Sequence, residues 1–384
     1  MSGLTVDYGK HEFTVRRVIL AQLATQAAVA VPNRESLAVH GSFRVTVHPG
    51  RLELAATDSQ LTVLAATKSV DTRSEAVLFL PAKRLKQIID AAPDGDVTIS
   101  VSGNMARVKA GGPSWEMKMP HPKGYSTLID PDAEVTFASV PREPFLAALL
   151  TVRHAVCKDA SRPHYAQVQL AKDGEDMWAS AFDGPQFCRV KVPGFPFETT
   201  LPAAMLPELI KLAEHSKAED IEVGEAEGAV VVRAGHTVLA CTLMGAEFPN
   251  VRQLMLDPTA GYSEELAVDG SELALAVKRV AVNAHPTTSA MALSVDGRKL
   301  TVQAHDDDGN KAEEVIGCTW SGDARLVVVN HKHLAEMLAV HPPGTCTFRL
   351  GPDAGRRRSM VRLEDEASGT ISVIPQMSPT AAGR

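Results

Sequence analysis

The chain has 384 residues, 45% of them hydrophobic and 22% charged, with a formal net charge of −7. That composition suits globular domains, and the length allows two or three of roughly 100–150 residues each. No stretch reaches the ~18 apolar residues of a membrane span, and the opening "MSGLTVDYGKHEFTV" has no apolar run of signal-peptide length, so the expectation is a cytoplasmic protein without a membrane partner.

In chain order, the elements come in three rounds. Each round opens with a short strand and a helical stretch: "EFTVRRVILAQLATQAAVAV", "VTFASVPREPFLAALLTVRHAV" and "ELAVDGSELALAVKRVAVNA". Leu20, Leu146 and Leu273 align across these. Strand hairpins follow, turning at "HPGR" (48–51), "KDGE" (172–175) and "DGRK" (296–299). Their glycines, Gly50, Gly174 and Gly297, are spaced by 124 and 123 residues. The acidic residues after them, Asp58, Asp183 and Asp307, are spaced by 125 and 124, so two features keep one register twice. A second helix then enters in "LFLPAKRLKQIIDAAP", "TLPAAMLPELIKLAEH" and "VVVNHKHLAEMLAVHP", marked by Pro in the first turn or by an Asn cap. Period-2 strands close each round. Connectors rich in Pro and Gly, "MPHPKGYSTLIDPD" and "MGAEFPNVRQLMLDP", separate the rounds. The fold class is therefore α+β, with two helices packed on antiparallel sheet in each of three domains, 1–130, 131–258 and 259–384.

The five cysteines, Cys157, Cys188, Cys241, Cys318 and Cys346, form no C-x-x-C pair and are odd in number, which points to buried thiols rather than a metal ribbon or disulfide framework. An acidic chain argues against a nucleic-acid partner, but the charge is segregated. The six helical segments 14–31, 81–93, 141–158, 202–218, 270–284 and 331–341 carry a net +7, leaving −14 on the remainder. Such a field attracts a polyanion to one face. On the first helix Ile19, Leu20, Leu23 and Ala27 form the apolar stripe, and Arg17 falls about 160° from Ile19 at 100° per residue, away from the sheet.

With these residues in place, the chain resembles the bacterial DNA polymerase III β-subunit (sliding clamp) family over about residues 11–377. "FTVRRVILAQL" and "AATDSQLTV" are similar to that family's first domain, "SRPHYAQVQLAKDGEDMWASAFDG" to its second, "FPNVRQL" to its second connector, and "VQAHDDDGNKAEEVI" and "ISVIPQM" to its third domain. The resemblance implies three clamp domains per chain and a head-to-tail homodimeric ring around duplex DNA, with helices lining the hole. It also implies no enzymatic activity and no cofactor or metal. DNA contacts map onto Arg34, Lys83, Arg84 and Arg162, beside Arg17 from the helix geometry. A groove that takes a Leu/Phe-bearing peptide of polymerase, clamp loader and other partners maps onto Tyr165, Phe182, Gly184, Pro185, Gln186 and Phe187. Pro249, Gln253 and Leu254 of the connector, Asn330, His333, and the run Ser372, Val373, Ile374, Pro375, Gln376 and Met377 complete it. The dimer contact maps onto Trp115 and Met117 against Val282 and Asn283.

The chain departs from the family where Asp-Gly-His/Tyr-Arg-Leu is common: it reads "DGPQF" (183–187), losing a basic residue and gaining an aromatic. Gln253 stands where Arg is usual, His333 where Tyr is frequent, and Asn283 where the family is apolar. These changes suit a specialised or second-copy clamp with an altered groove. Two other readings stay open: a clamp-derived interaction scaffold that does not encircle DNA, and an enzyme using the carboxylates of "HDDDG" (305–309) to hold a hard metal. Against the enzyme, that cluster occupies a hairpin position, and there is no P-loop, G-x-S-x-G or H-E-x-x-H motif.

Overall fold

The computed structural model describes residues 9–32, 39–125, 135–159, 161–226, 228–250, 262, 264–351 and 359–382. Within them the helices fall where the apolar periodicity places them. They are α1 (Arg17–Ala27), α2 (Ala82–Ala91), α3 (Arg142–Val152), α4 (Leu206–His215), α5 (Gly270–Val280) and α6 (His331–Ala339). Single 3-10 turns finish α1, α3 and α5. Two starts are capped by side chains: Asp269 Oδ1 accepts from Glu272 N at 2.8 Å, and Asn330 Oδ1 from Lys332 N at 2.9 Å. Pro81 and Pro202 end strands, and it is Pro207 that sits in the first turn of α4.

The helices are shorter than their periodic stretches, and this alters the charge argument. Arg16, Arg153, Lys158 and Lys217 lie outside the observed bounds, so the net charge on the six helices is +3 rather than +7. The basic side chains sit at helix ends and in the adjoining turns. The stripe of α1 also shifts, because Leu20, Leu23, Ala24 and Ala27 are buried while Ile19 is only half-buried.

The threefold register is sharpened in two places. The fourth residue of the first helix in each copy is Leu20, Phe145 or Leu273, all fully buried, so Phe145 and not Leu146 is the middle counterpart. The acid that closes the third turn is Asp306 rather than Asp307. Asp58 N donates to Leu61 O, Asp183 N to Gln186 O and Asp306 N to Asn310 O, and each carboxylate accepts backbone N–H bonds within its turn. Asp307 instead accepts from His285 Nε2 at 2.8 Å. The three hairpin glycines have φ of +72°, +67° and +59°, a region costly for any residue with a Cβ.

Each copy builds two four-stranded antiparallel ladders, and ladders from successive copies fuse. The last strand of copy two, Thr237–Thr242, pairs with Leu61–Thr67 of copy one, Leu239 opposite Val63, giving an eight-stranded sheet. The last strand of copy three, Thr370–Pro375, pairs with the equivalent strand of copy two, Phe187–Lys191, Phe187 opposite Val373. One short flanking strand, Thr319–Trp320, makes this second fusion a nine-stranded sheet, and another, Asp71–Thr72, makes the first sheet of copy one five-stranded. The five-stranded sheet of copy one ends on Ser114–Lys118, and the four-stranded sheet of copy three ends on Lys311–Gly317.

Two compact units result, residues 1–143 with 204–243, and residues 144–203 with 244–384. The ladders of copy two are shared between them. The expected domain boundaries near 130 and 258 fall in segments 126–134 and 251–261, outside the described residues. Helices cover one face of each sheet. In the second unit Leu273, Val277 and Val280 of α5 and Leu334 and Met337 of α6 pack on Met291, Val302 and Val329.

Candidate functional site

The mapped groove residues converge in the second unit, on the hairpin of strands Asp176–Phe182 and Phe187–Lys191. Asp183 Oδ1 accepts from Gln186 N at 2.7 Å, and Gly184 takes φ +106°, which a β-carbon would strain. Phe182 and Phe187 then pair across the ladder and pack with Ile371 and Val373 of the last strand. Tyr165, Phe248 and Met360 pack against this cluster, with the Tyr165 ring edge-on to Phe182 at 5.4 Å. Two bonds, from Gln167 Nε2 to Ala246 O and between His164 Nδ1 and Glu247 O, both 2.9 Å, hold the segment that places Phe248 and half-buried Pro249.

The last strand divides the expected C-terminal run by its alternation. Ile371 and Val373 face the aromatic cluster, while Ile374 packs in the helix-covered core of copy three. Buried Ser372 faces a polar seam instead. Its Oγ lies 3.0 Å from His341 Nε2 and donates toward Cys188 Sγ at 3.6 Å. Burial pushes the His341 imidazole down to about 4 and the Cys188 thiol up to about 12. Gln376 bonds the backbone of Gly351 and Met360, and Met377 N donates to Val328 O. The Met377 side chain packs on Ala290, Ala292 and Val328, apart from the aromatic cluster. Half-buried Pro375 ends the strand, and Asn330 is committed to capping α6.

At the helix-side end of the hairpin, Gln186 is only 4% exposed, and its Nε2 donates to Glu336 Oε2 on α6 at 2.9 Å. Half-buried His333 is one turn earlier on the same helix. Burial lowers the His333 and His154 imidazoles and raises the Asp183 carboxyl. Pro185 at the tip is exposed. Gln253 and Leu254 lie outside the described residues. Sequence reasoning missed Phe248, Met360, Ile371, Glu336, His154 and His341. An aromatic beside Pro249 was the signal for the first, and period-2 alternation from Val373 the signal for Ile371.

The five residues expected to meet DNA have different settings. Lys83 and Arg84 are exposed on the first turn of α2, and among the described residues no carboxylate pairs with them. With Lys118, His121, Gln87 and Asn104 they line an open cleft of about 780 Å³. Arg17 is instead tied to Asp94 through Nε at 2.9 Å and through Nη2. Arg162 is folded onto the groove: Nη1 donates to Asp183 O at 3.1 Å, Nη2 to Cys157 Sγ at 2.9 Å, Nε lies 3.6 Å from Asp159, and the guanidinium sits 5.6 Å from the Tyr165 ring centre. Arg34 lies outside the described residues.

At the copy-one edge Trp115 is half-buried, but Met117 is 4% exposed and belongs to the core rather than to a contact surface. In copy three, Val282 is 83% exposed, next to half-buried Asn283. In "HDDDG" the Asp306 carboxylate is occupied by its own hairpin, and among the described residues no group of three His, Cys, Asp or Glu is arranged to hold a metal. No described helix is long and apolar enough to cross a membrane.

Comparison with known proteins agrees with this architecture. The family described as "DNA polymerase III beta subunit, N-terminal domain" matches residues 11–125. The beta sliding clamp of Escherichia coli K12 is 21% identical over 370 residues, covering 94% of this chain and 98% of that protein. The beta sliding clamp of Synechococcus elongatus is 25% identical over 325 residues, covering 80% and 84%. The structure of the DNA polymerase III subunit beta from Pseudomonas aeruginosa superposes with a TM-score of 0.85 at 18% identity, covering 95% of this chain and 99% of that one. The beta sliding clamp of Caulobacter crescentus superposes with 0.87 at 19%, covering 97% and 100%. These structures share the fold.

Proposed function

Since the chain is a divergent member of the DNA polymerase III β-subunit family, we propose that it works as a non-enzymatic sliding clamp in DNA replication, as a head-to-tail homodimeric ring around duplex DNA. The observation that carries this reading is the pattern of strand fusion. In each fusion within the chain, the strand after the copy's first hairpin pairs with the last strand of the following copy: Leu61–Thr67 with Thr237–Thr242, and Phe187–Lys191 with Thr370–Pro375. Among the described residues Lys311–Gly317 of copy three and Ser114–Lys118 of copy one each end their sheet with one edge unpaired. The two free edges are the two halves of one more fusion, and a second chain supplies both. Such a heterologous contact closes when the rotation allows. Trp115 on one edge and Val282 near the other are the apolar contacts on this reading, and Asn283 makes the contact more polar than the family's.

Domains 1–130, 131–258 and 259–384 are on this reading the three repeats of the ring. Lys83, Arg84 and Arg34 then meet phosphates, which carry no sequence information and permit sliding. Arg17 and Arg162, held by Asp94 and by the groove, contribute less. Polymerase and clamp loader dock by a short apolar peptide at the cluster of Tyr165, Phe182 and Phe187. No cofactor is needed. Light scattering across concentrations tests the ring: a species of twice the 41.0 kDa chain mass is expected, retained after loading on nicked circular DNA and released on linearisation. A chain that stays monomeric would favour the scaffold reading instead.

A further inference from the structure

Resting on the groove reading above, we propose that this groove selects a peptide whose apolar anchor is flanked by lysine or arginine, held by Glu336 and Asp183. Glu336 is exposed on α6 and, among the described residues, accepts only from the Gln186 amide, and Asp183 is half-buried in the adjoining turn. Among the described residues no Lys, Arg or His forms an ion pair with either carboxylate. Arg162 directs its guanidinium to the Asp183 carbonyl, the Cys157 thiol and the Asp159 carboxylate, and reaches the Asp183 carboxylate only through its field. Lys332 lies one turn before Glu336 on α6 without pairing to it. Burial lowers the imidazoles of His154 and His333 and so disfavours their charged forms, against the pull of Glu336 and Asp183.

A second observation points to an incoming donor. Gln186 is 4% exposed and its Oε1 has no hydrogen-bond partner, although its Nε2 is used. A buried amide oxygen left unsatisfied is costly. An ammonium or guanidinium arriving at Glu336 is also placed to donate to this oxygen once the side chain turns outward. A partner carboxylate brought there would meet two like charges and the same unsatisfied acceptor.

Fluorescence anisotropy on the full chain tests this with two labelled decapeptides, both centred on Leu-Phe, one flanked by lysines and one by glutamates. A lysine peptide with the Leu-Phe replaced by Ala-Ala serves as control. The lysine peptide is expected to bind at least about tenfold tighter at low salt, with the ratio shrinking as salt rises. Glu336→Gln, on the exposed face of α6, is expected to bring the ratio close to one, and Gln186→Arg to reverse it, each variant being checked for native circular dichroism. Equal binding, or a preference for the glutamate peptide, overturns this inference and leaves the groove reading standing. Retained binding of the Ala-Ala control also overturns it, as charge attraction without an anchor. If neither Leu-Phe peptide binds, the groove reading fails and this inference with it.

Discussion

The two fused seams of the chain use the same strand geometry with opposite chemistry. In the first unit, Leu61 and Val63 meet Cys241 and Leu239 across the ladder, and the floor is apolar. Above it α1 and α4 stand apart over an open cleft of about 760 Å³, rimmed by Val18, Val29, Gln22, Leu212 and His215. In the second unit the equivalent seam carries polar groups: Cys188 and Ser372 face each other, His341 closes on Ser372, and Gln186 reaches Glu336. One register thus serves as an apolar joint in the first unit and as a polar joint in the second. The difference teaches that side chains at three or four ladder positions decide what a seam does, because backbone pairing alone is indifferent to them.

The largest test of that contrast is Phe187→Ala. Phe187 is 1% exposed and sits at the centre of the aromatic cluster, so its truncation leaves a cavity. A loss of about 3–5 kcal/mol is expected in urea unfolding, with partner-peptide binding abolished. Next is pH. The His341 imidazole is held at about 4 in the folded chain against 6.5 unfolded, so the unfolded chain binds more protons between those values. Stability from this group is complete above pH 6.5 and declines as pH falls toward 4, by about 3 kcal/mol over the whole interval. His154 and His333 act in the same direction, and the raised carboxyl of Asp183 opposes them at the acid end. His341→Gln should flatten the urea midpoint against pH in this window. A smaller effect separates the turns. The position of Gln186 corresponds to that of Leu61 in the first turn. Gln186→Leu removes an unsatisfied buried oxygen, while Glu336 stays solvated, so a gain of about 1 kcal/mol is expected in urea unfolding.

How much of this was legible beforehand follows from which forces act locally. Helices announced themselves through apolar periodicity, and Gly50, Gly174 and Gly297 fixed the register because a positive φ leaves few substitutes. The register slipped by one at Leu146 and at Asp307, where helix facing and turn closure depend on contacts that spacing does not encode. The resemblance named Phe182 and Phe187, which the fold brings into one cluster, but the fate of the last strand was not legible. Alternation sends Ile374 to the core and Val373 to the cluster, and only the pairing with Phe187–Lys191 says which is which. The charge segregation was overstated for a similar reason: the periodic stretches overran the true helices at their basic ends. The intramolecular partners of Arg162, Cys157, Asp159 and Asp183, were not legible because they come together only in the fold.

The smallest predicted effect concerns the plain turn itself. Asp58 Oδ1 accepts from both Gln60 N at 2.9 Å and Leu61 N at 2.7 Å, and Ser59 between them takes a φ of +77°. This carboxylate therefore holds a strained turn closed, in the way that Asp and Asn side chains mimic a backbone turn. Asp58→Ala should cost about 1 kcal/mol and leave peptide binding unchanged. Asp58→Asn keeps the acceptor oxygen and should recover most of that loss. At Asp183, with one such bond, Asp183→Asn should retain the turn but weaken binding of a lysine-flanked peptide. Equal effects of the two Asn substitutions on peptide affinity would mean that the seams do not differ in function as their chemistry indicates.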